Sequence, residues 1–140
     1  ISVAASTPSS GSLRIAGARG WAPMSSSLLS TTHLPGHWDL VAEGAKSTGR
    51  TPNRSDWRVA RDIFVGPTPK IARERARAVM GRNYDEHPAE CEDKIRALYD
   101  VTGGFGSLLS TTVDSDDAGW DHESLRLLAE DVAPRIADLG

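Results

Sequence analysis

Cysteine is almost absent from this 140-residue chain. Cys91 stands alone, which excludes an intramolecular disulfide and makes a reducing, cytoplasmic compartment the expectation. Long apolar runs are lacking too: none approaches the ~20 residues that span a bilayer, and no signal peptide is visible, so no membrane partner is expected. Nor does charge of one sign dominate. Sixteen basic and 19 acidic residues leave a net charge of −3, which gives nucleic acid no overall footprint. The imbalance is local, with eight acids against Arg126 and Arg135 over residues 113–140, and that stretch reads as a solvated helix face. No methionine precedes Ile1, so the sequence is expected to begin inside a longer polypeptide. No Walker loop, GxGxxG fingerprint or Ser-His-Asp arrangement is found.

What is present is an alternation of strand and helix signals within a length that suits a single domain over 1–140. ISVAAS reads as a short buried strand, followed by a helix over 12–19 with Leu13, Ile15 and Ala16 available for burial. A second strand is expected at Trp21–Ser25. A helix then starts near Pro35 and ends near Gly49, with Trp38, Val41, Ala42 and Ala45 forming its apolar stripe. WRVARDIFVG (57–66) reads as a third strand. The helix after it buries Ala72, Ala76, Val79 and Met80 and stops at Gly81. A helix from Pro88 buries Cys91, Ile95, Leu98 and Tyr99, GGFGSLLST (103–111) reads as a fourth strand, and Leu125, Leu128, Ala129, Val132 and Ile136 mark a closing helix kinked or ended at Pro134. This order is an α/β class of parallel βα units: either half of an eight-stranded barrel or a small open sheet.

In both architectures ligands gather at the carboxyl ends of the strands. The loop TPSSG is the richest such place. Ser6, Thr7, Ser9 and Ser10 bring hydroxyls, Gly11 lets the backbone approach a ligand, and a helix N-terminus adds free N–H groups. A phosphate monoester suits this cradle, and a polar turn with an N-cap is the structural alternative. His33 and His37 have i, i+4 spacing, but Pro35 and Gly36 lie between them, and they read as helix-start histidines near Trp38 rather than metal ligands. Cys91 falls on an apolar stripe and reads as core. Arg73, Arg75, Arg77 and Arg82 read as a solvated helix face.

Four stretches in order, VAASTPSSGSLRIAGARGWAPMSSS, GHWDLVAEGAKSTGRTPNRSDWRVARDIFVGPT, PAECEDKIRALYDVTGGFGSLLST and a helix ending DVAPRI, resemble the carboxyl-terminal half of the luciferase-like flavin monooxygenases, the superfamily of bacterial luciferase and the limonene-type monooxygenases. The pattern GHW…GR…R..WRV with a downstream TGGFG carries most of the likeness. The resemblance implies strands five to eight of a TIM barrel, a single carboxyl-terminal half-barrel unit. It implies reduced FMN as cofactor (a deazaflavin in some relatives), O2, a small and often apolar organic substrate, and a flavin reductase as partner. It places Ser6, with Ser9 or Ser10, on the flavin phosphate beside Gly11, and Met24 to Ser26 near the flavin ring. Some relatives carry a glutamate where Ala5 stands. The family's catalytic histidine and a phosphate-binding arginine belong to the first four strands, so no catalytic residue is assigned here. Relatives also carry a lid segment between the stretches that abut at His87–Pro88. The site would be completed by an amino-terminal half or by a second copy of the chain. The alternative is a non-catalytic half-barrel acting through oligomerisation.

Overall fold

The computed structural model describes residues 1–80, 91–111 and 117–139. β1 (Ser2–Ala5) leads into α1 (Gly11–Arg19), and β2 (Ala22–Ser25) leads through a 3-10 turn at Thr31–His33 into α2 (Leu34–Lys46). A second 3-10 turn, Arg54–Asp56, precedes β3 (Arg58–Asp62), which is followed by α3 (Pro69–Met80), α4 (Cys91–Thr102), β4 (Ser107–Thr111) and α5 (Ala118–Leu127). The strands form one sheet in the order β1-β2-β3-β4. β1, β2 and β3 are parallel, with Ala5 opposite Ser25 and Ser25 opposite Val59. Helical crossovers between strands that neighbour both in sequence and in space are what the βα alternation demands.

Two compact units can be distinguished, Ile1–Arg61 with Leu98–Ser110, and Asp62–Ala97 with Thr111–Leu139. The first has a core of Leu13, Leu34, Trp38, Val41, Trp57, Val59, Leu98 and Phe105. Trp38 and Trp57 stack with ring centroids 5.4 Å apart. The Arg54 guanidinium lies 4.6 Å from the Trp38 ring centroid and 5.8 Å from that of Trp57, and donates to the carbonyls of Thr102 and Gly104. One arginine thereby staples the end of α4 to the tryptophan pair. In the second unit Ala72, Ala76, Ile95 and Val132 are buried, Ser124 Oγ accepts from Val65 N at 2.8 Å, and Arg75 pairs with Glu123 while lying over the Trp120 ring.

Several expectations need correction. Residues 103–106 do not belong to β4: Gly103 and Gly104 have φ of 69° and 98°, and their amides donate back to the carbonyls of Asp100 and Tyr99. TGG is therefore a helix-terminating turn, which left-handed φ reserves for glycine. The same pair of bonds closes α1 at Gly20 and α2 at Gly49. β3 ends at Asp62, short of the expected Gly66, and Trp57 precedes it. Ile15 and Leu125 are exposed rather than buried. The closing helix gives up α geometry at Leu127, well before Pro134, continuing as a π-helical turn (Leu128–Val132) and a 3-10 stretch (Ala133–Leu139). Arg75 is engaged in an ion pair rather than solvated. Gly81, Arg82 and the His87–Pro88 junction lie outside the described residues.

Candidate functional site

Parallel pairing brings the carboxyl ends of β1, β2 and β3 side by side. Above β1, the side chains of Ser6, Thr7 and Ser9 are exposed, and Ser10 occupies the N-cap position of α1. Ser10 does not cap the helix with its side chain; its hydroxyl pairs with Ser12 Oγ at 2.8 Å. A simple N-cap therefore does not account for this serine. A Cβ added at Gly11 would meet nothing within 4 Å, so the backbone there is open to close approach.

Four carbonyl oxygens in and beside this loop are taken up internally. Ala4 O accepts from Ser12 Oγ at 3.4 Å, Ala5 O from Ser26 N at 2.9 Å, and Ser10 O from Leu13 N at 3.2 Å. Thr7 O lies 2.9 Å from His37 Nε2. Two carbonyls of the loop, those of Thr7 and Ser10, are thus engaged by the chain itself, which lowers the repulsion an anion would meet beside them. Beyond β2, Ser26 Oγ accepts from Leu28 N at 3.3 Å, and Ser26 O accepts from Arg61 at 3.2 Å. Met24, opposite Ala4 and Arg58, is half-buried. Ser6, Ser9, Ser10, Gly11, Met24 and Ser26 therefore cluster on the carboxyl ends of β1 and β2 and the loops that follow them.

Sequence reasoning took His37 for a helix-start histidine near Trp38 and missed its hydrogen-bond partners. Its ring is fully buried, with Nδ1 2.9 Å from Ser25 Oγ, which also accepts from Trp57 Nε1 at 3.0 Å. A carbonyl oxygen only accepts, so His37 Nε2 carries the proton it gives to Thr7. An indole N–H only donates, so Ser25 receives it and can give its own proton to a bare Nδ1. Burial lowers the pKa of His37, and the neighbouring His33 and Arg61 act in the same direction, while the bond to Thr7 opposes them. The neutral imidazole this favours is the form the hydrogen bonds require. A histidine just inside a helix start, with a strand-end serine and a tryptophan within the chain, is a weak signal, because 12 and 32 residues separate Ser25 from its two partners.

In the second unit, Cys91 is half-buried in a cleft of about 420 Å³ lined by Gly66, Thr68, Ala72, Leu127 and Val132. Burial pushes its thiol up to about 11, which favours the neutral thiol at neutral pH. Among the described residues no group of His, Cys, Asp and Glu could hold a metal ion, and no helix is long and apolar enough to cross a membrane.

No family model matches the chain. It is 29% identical over 97% of its length to 3,6-diketocamphane 1,6-monooxygenase of Pseudomonas putida, and 29% identical over 89% to 4-hydroxyprotoasukamycin monooxygenase of Streptomyces nodosus subsp. asukaensis. These matches cover 47% and 43% of the relatives, so the chain spans less than half of their length. The first alignment runs over 178 residues against a chain of 140, so that relative carries residues with no counterpart here. Among solved structures, the oxygenating constituent of 3,6-diketocamphane monooxygenase from Pseudomonas putida, a type II Baeyer-Villiger monooxygenase in complex with FMN, matches with a TM-score of 0.77 and 28% identity, over 96% of this chain and 48% of that one. A monooxygenase of Streptomyces bottropensis shares the fold at a TM-score of 0.70 and 20% identity, over 96% of this chain and 47% of that one.

Proposed function

Since the chain is a relative of the luciferase-like flavin monooxygenases, we propose that it forms the carboxyl-terminal half, strands five to eight, of an FMN-dependent monooxygenase barrel. The observation that carries this reading is the β1–α1 loop, where the Thr7 and Ser10 carbonyls are engaged internally while Ser6, Thr7 and Ser9 stand exposed beside an open Gly11. Ser6, Ser9 and Ser10 hold the flavin phosphate through hydroxyls and the first amides of α1, and Met24 to Ser26 border the ring. Reduced flavin, delivered by a reductase, supplies the activation of O2 towards a small apolar substrate; a deazaflavin would use the same phosphate loop. The chain's own part is to bind and orient the cofactor. Substrate selection and the catalytic residues belong to an amino-terminal half. The lid segment that the family resemblance implies would lie between the stretches that abut at His87–Pro88. A cytoplasmic setting suits both the lone cysteine and a reduced flavin.

The test is an FMN titration of the chain alone and together with an amino-terminal half. Tight binding only in the reconstituted barrel is expected, and a soluble reconstituted barrel that binds no flavin sinks the reading. The second reading, a non-catalytic half-barrel that associates with another copy, is favoured by the exposure of Leu28 (83%) and Val101 (50%). Its mark is a stable assembly of copies without flavin.

A further inference from the structure

The buried chain from Trp57 through Ser25 and His37 to Thr7 has a function that the flavin likeness does not assign. Each of its links is at hydrogen-bond distance, and Ser25, His37 and Trp57 are at most 1% exposed. With a neutral ring the donors all run one way, from indole to hydroxyl to imidazole to carbonyl, and none of the three bonds lacks a proton or a lone pair. The chain ends on Thr7, an exposed residue of the β1–α1 loop whose carbonyl it engages. A carbonyl oxygen aimed at an anion repels it, so the direction of this dipole decides whether the loop attracts or rejects negative charge. The other ends are fixed by structure: Ser25 closes β2, Trp57 sits in the core against Trp38, and His37 is held in the first turns of α2.

We propose that His37 is the positioning residue of the anion loop: by holding the Thr7 carbonyl inward, it turns the donors of Ser6–Gly11 towards a bound phosphate. The identity of that phosphate rests on the flavin reading above, whereas the positioning itself does not. The groups facing the ring are Ser25 from β2, Trp57 from the approach to β3, Thr7 from the loop, His33 from the preceding turn and Arg61 from β3. Both His33 and Arg61 disfavour a second proton on the ring, which keeps the relay in its one consistent direction.

The decisive measurements use the full chain. In the wild type, nitrogen NMR of His37 should show a protonated Nε2, a bare Nδ1, and a coupling across the hydrogen bond to the Thr7 carbonyl. A protonated Nδ1 with bare Nε2 overturns the proposal without any variant. His37→Phe removes the donor at similar bulk, and His37→Gln restores an N–H donor. The amide shifts of Ser9, Ser10 and Gly11 should move in His37→Phe and return towards wild type in His37→Gln. Where the reconstituted protein binds FMN, His37→Phe should weaken it by about tenfold or more and His37→Gln by no more than about threefold. Equal FMN affinity in wild type and His37→Phe, or unchanged loop amides, would falsify the positioning role. Loop amides that respond as expected in a protein that never binds FMN would leave the positioning intact and remove the flavin reading. Should His37→Phe not fold, the wild-type spectrum and His37→Gln decide.

Discussion

His37 makes stability depend on pH in a direction that its burial fixes. Folding lowers its pKa, so between the folded value and the ordinary value of 6.5 the unfolded chain binds more protons than the folded one. The stabilisation is complete above about 6.5 and is lost as pH falls below it. Urea unfolding at pH 7.5 and at successive points below 6.5 should show the loss, and His37→Gln should flatten this component of the curve. A wild type as stable at pH 5 as at 7.5, once the carboxylates are accounted for by that variant, contradicts it. Gly11 offers a test of the opposite kind. It has open space around a would-be Cβ and no positive φ, so Gly11→Ala should leave stability unchanged or raise it by about 0.5 kcal/mol. If the flavin phosphate approaches that backbone, FMN binding to the reconstituted barrel falls by about tenfold although the thermal midpoint does not. At this scale the sequence disclosed the hydroxyls of the loop, because serine and threonine before a helix are a local pattern. It concealed the role of His37, because the partners of a buried imidazole come from elements far apart in the chain.

At the scale of elements, the close approach of α1 and α2 depends on two glycines. A Cβ on Gly17 would lie 2.0 Å from the Val41 carbonyl oxygen, and one on Gly44 would lie 2.0 Å from that of Arg14. Both obstacles are helical backbone and cannot yield as a side-chain tip would. Gly17→Ala and Gly44→Ala should therefore each cost about 3 kcal/mol or more, against the small gain that alanine brings to a free helix. Equilibrium unfolding measures this directly, and a loss under about 1 kcal/mol in either variant would show that the helices can part without penalty. The consequence reaches the candidate site, since α1 begins at the β1–α1 loop and its tilt sets where the first amides of the helix point. Helices were the most legible elements because the stripes of Trp38, Val41 and Ala45, of Ala72 and Ala76, and of Ile95 and Leu98 repeat at helical spacing. Strand limits were less legible. Phe105 lent an apolar look to GGFG, but Gly106 lies against Ser55, where a Cβ would be 1.7 Å from the carbonyl oxygen, and the two glycines before Phe105 close a helix. Residues that serve a turn or a close contact carry the same letters as residues that extend a strand.

At the scale of the whole molecule, the residues that carry the family likeness turn out to be a scaffold for the site. GHW supplies His37 on Ser25 and Trp38 against Trp57; the downstream arginine and tryptophan are Arg54 and Trp57; TGGFG supplies the carbonyls that Arg54 grips. A pattern without a nucleophile or a metal ligand thus has a structural role: it fixes the ends of β2 and β3 and the loop beside them. The same view yields a prediction about association. In the sheet order β1-β2-β3-β4 the first and last strands are outermost, β1 is exposed at Ser2 and Ala4, and β4 is exposed at Ser107, Leu109, Ser110 and Thr111. Outer strands left open are templates for further pairing. The chain alone should therefore sediment as a concentration-dependent mixture of monomer and larger species, and an amino-terminal half should convert it to a single species whose mass is the sum of the two. Gly17→Ala, which disturbs the first βα unit, should weaken that conversion, whereas Gly11→Ala should not. A chain that stays monomeric at every concentration and ignores the added half would show that its outer strands need no partner, and with them the half-barrel would fall.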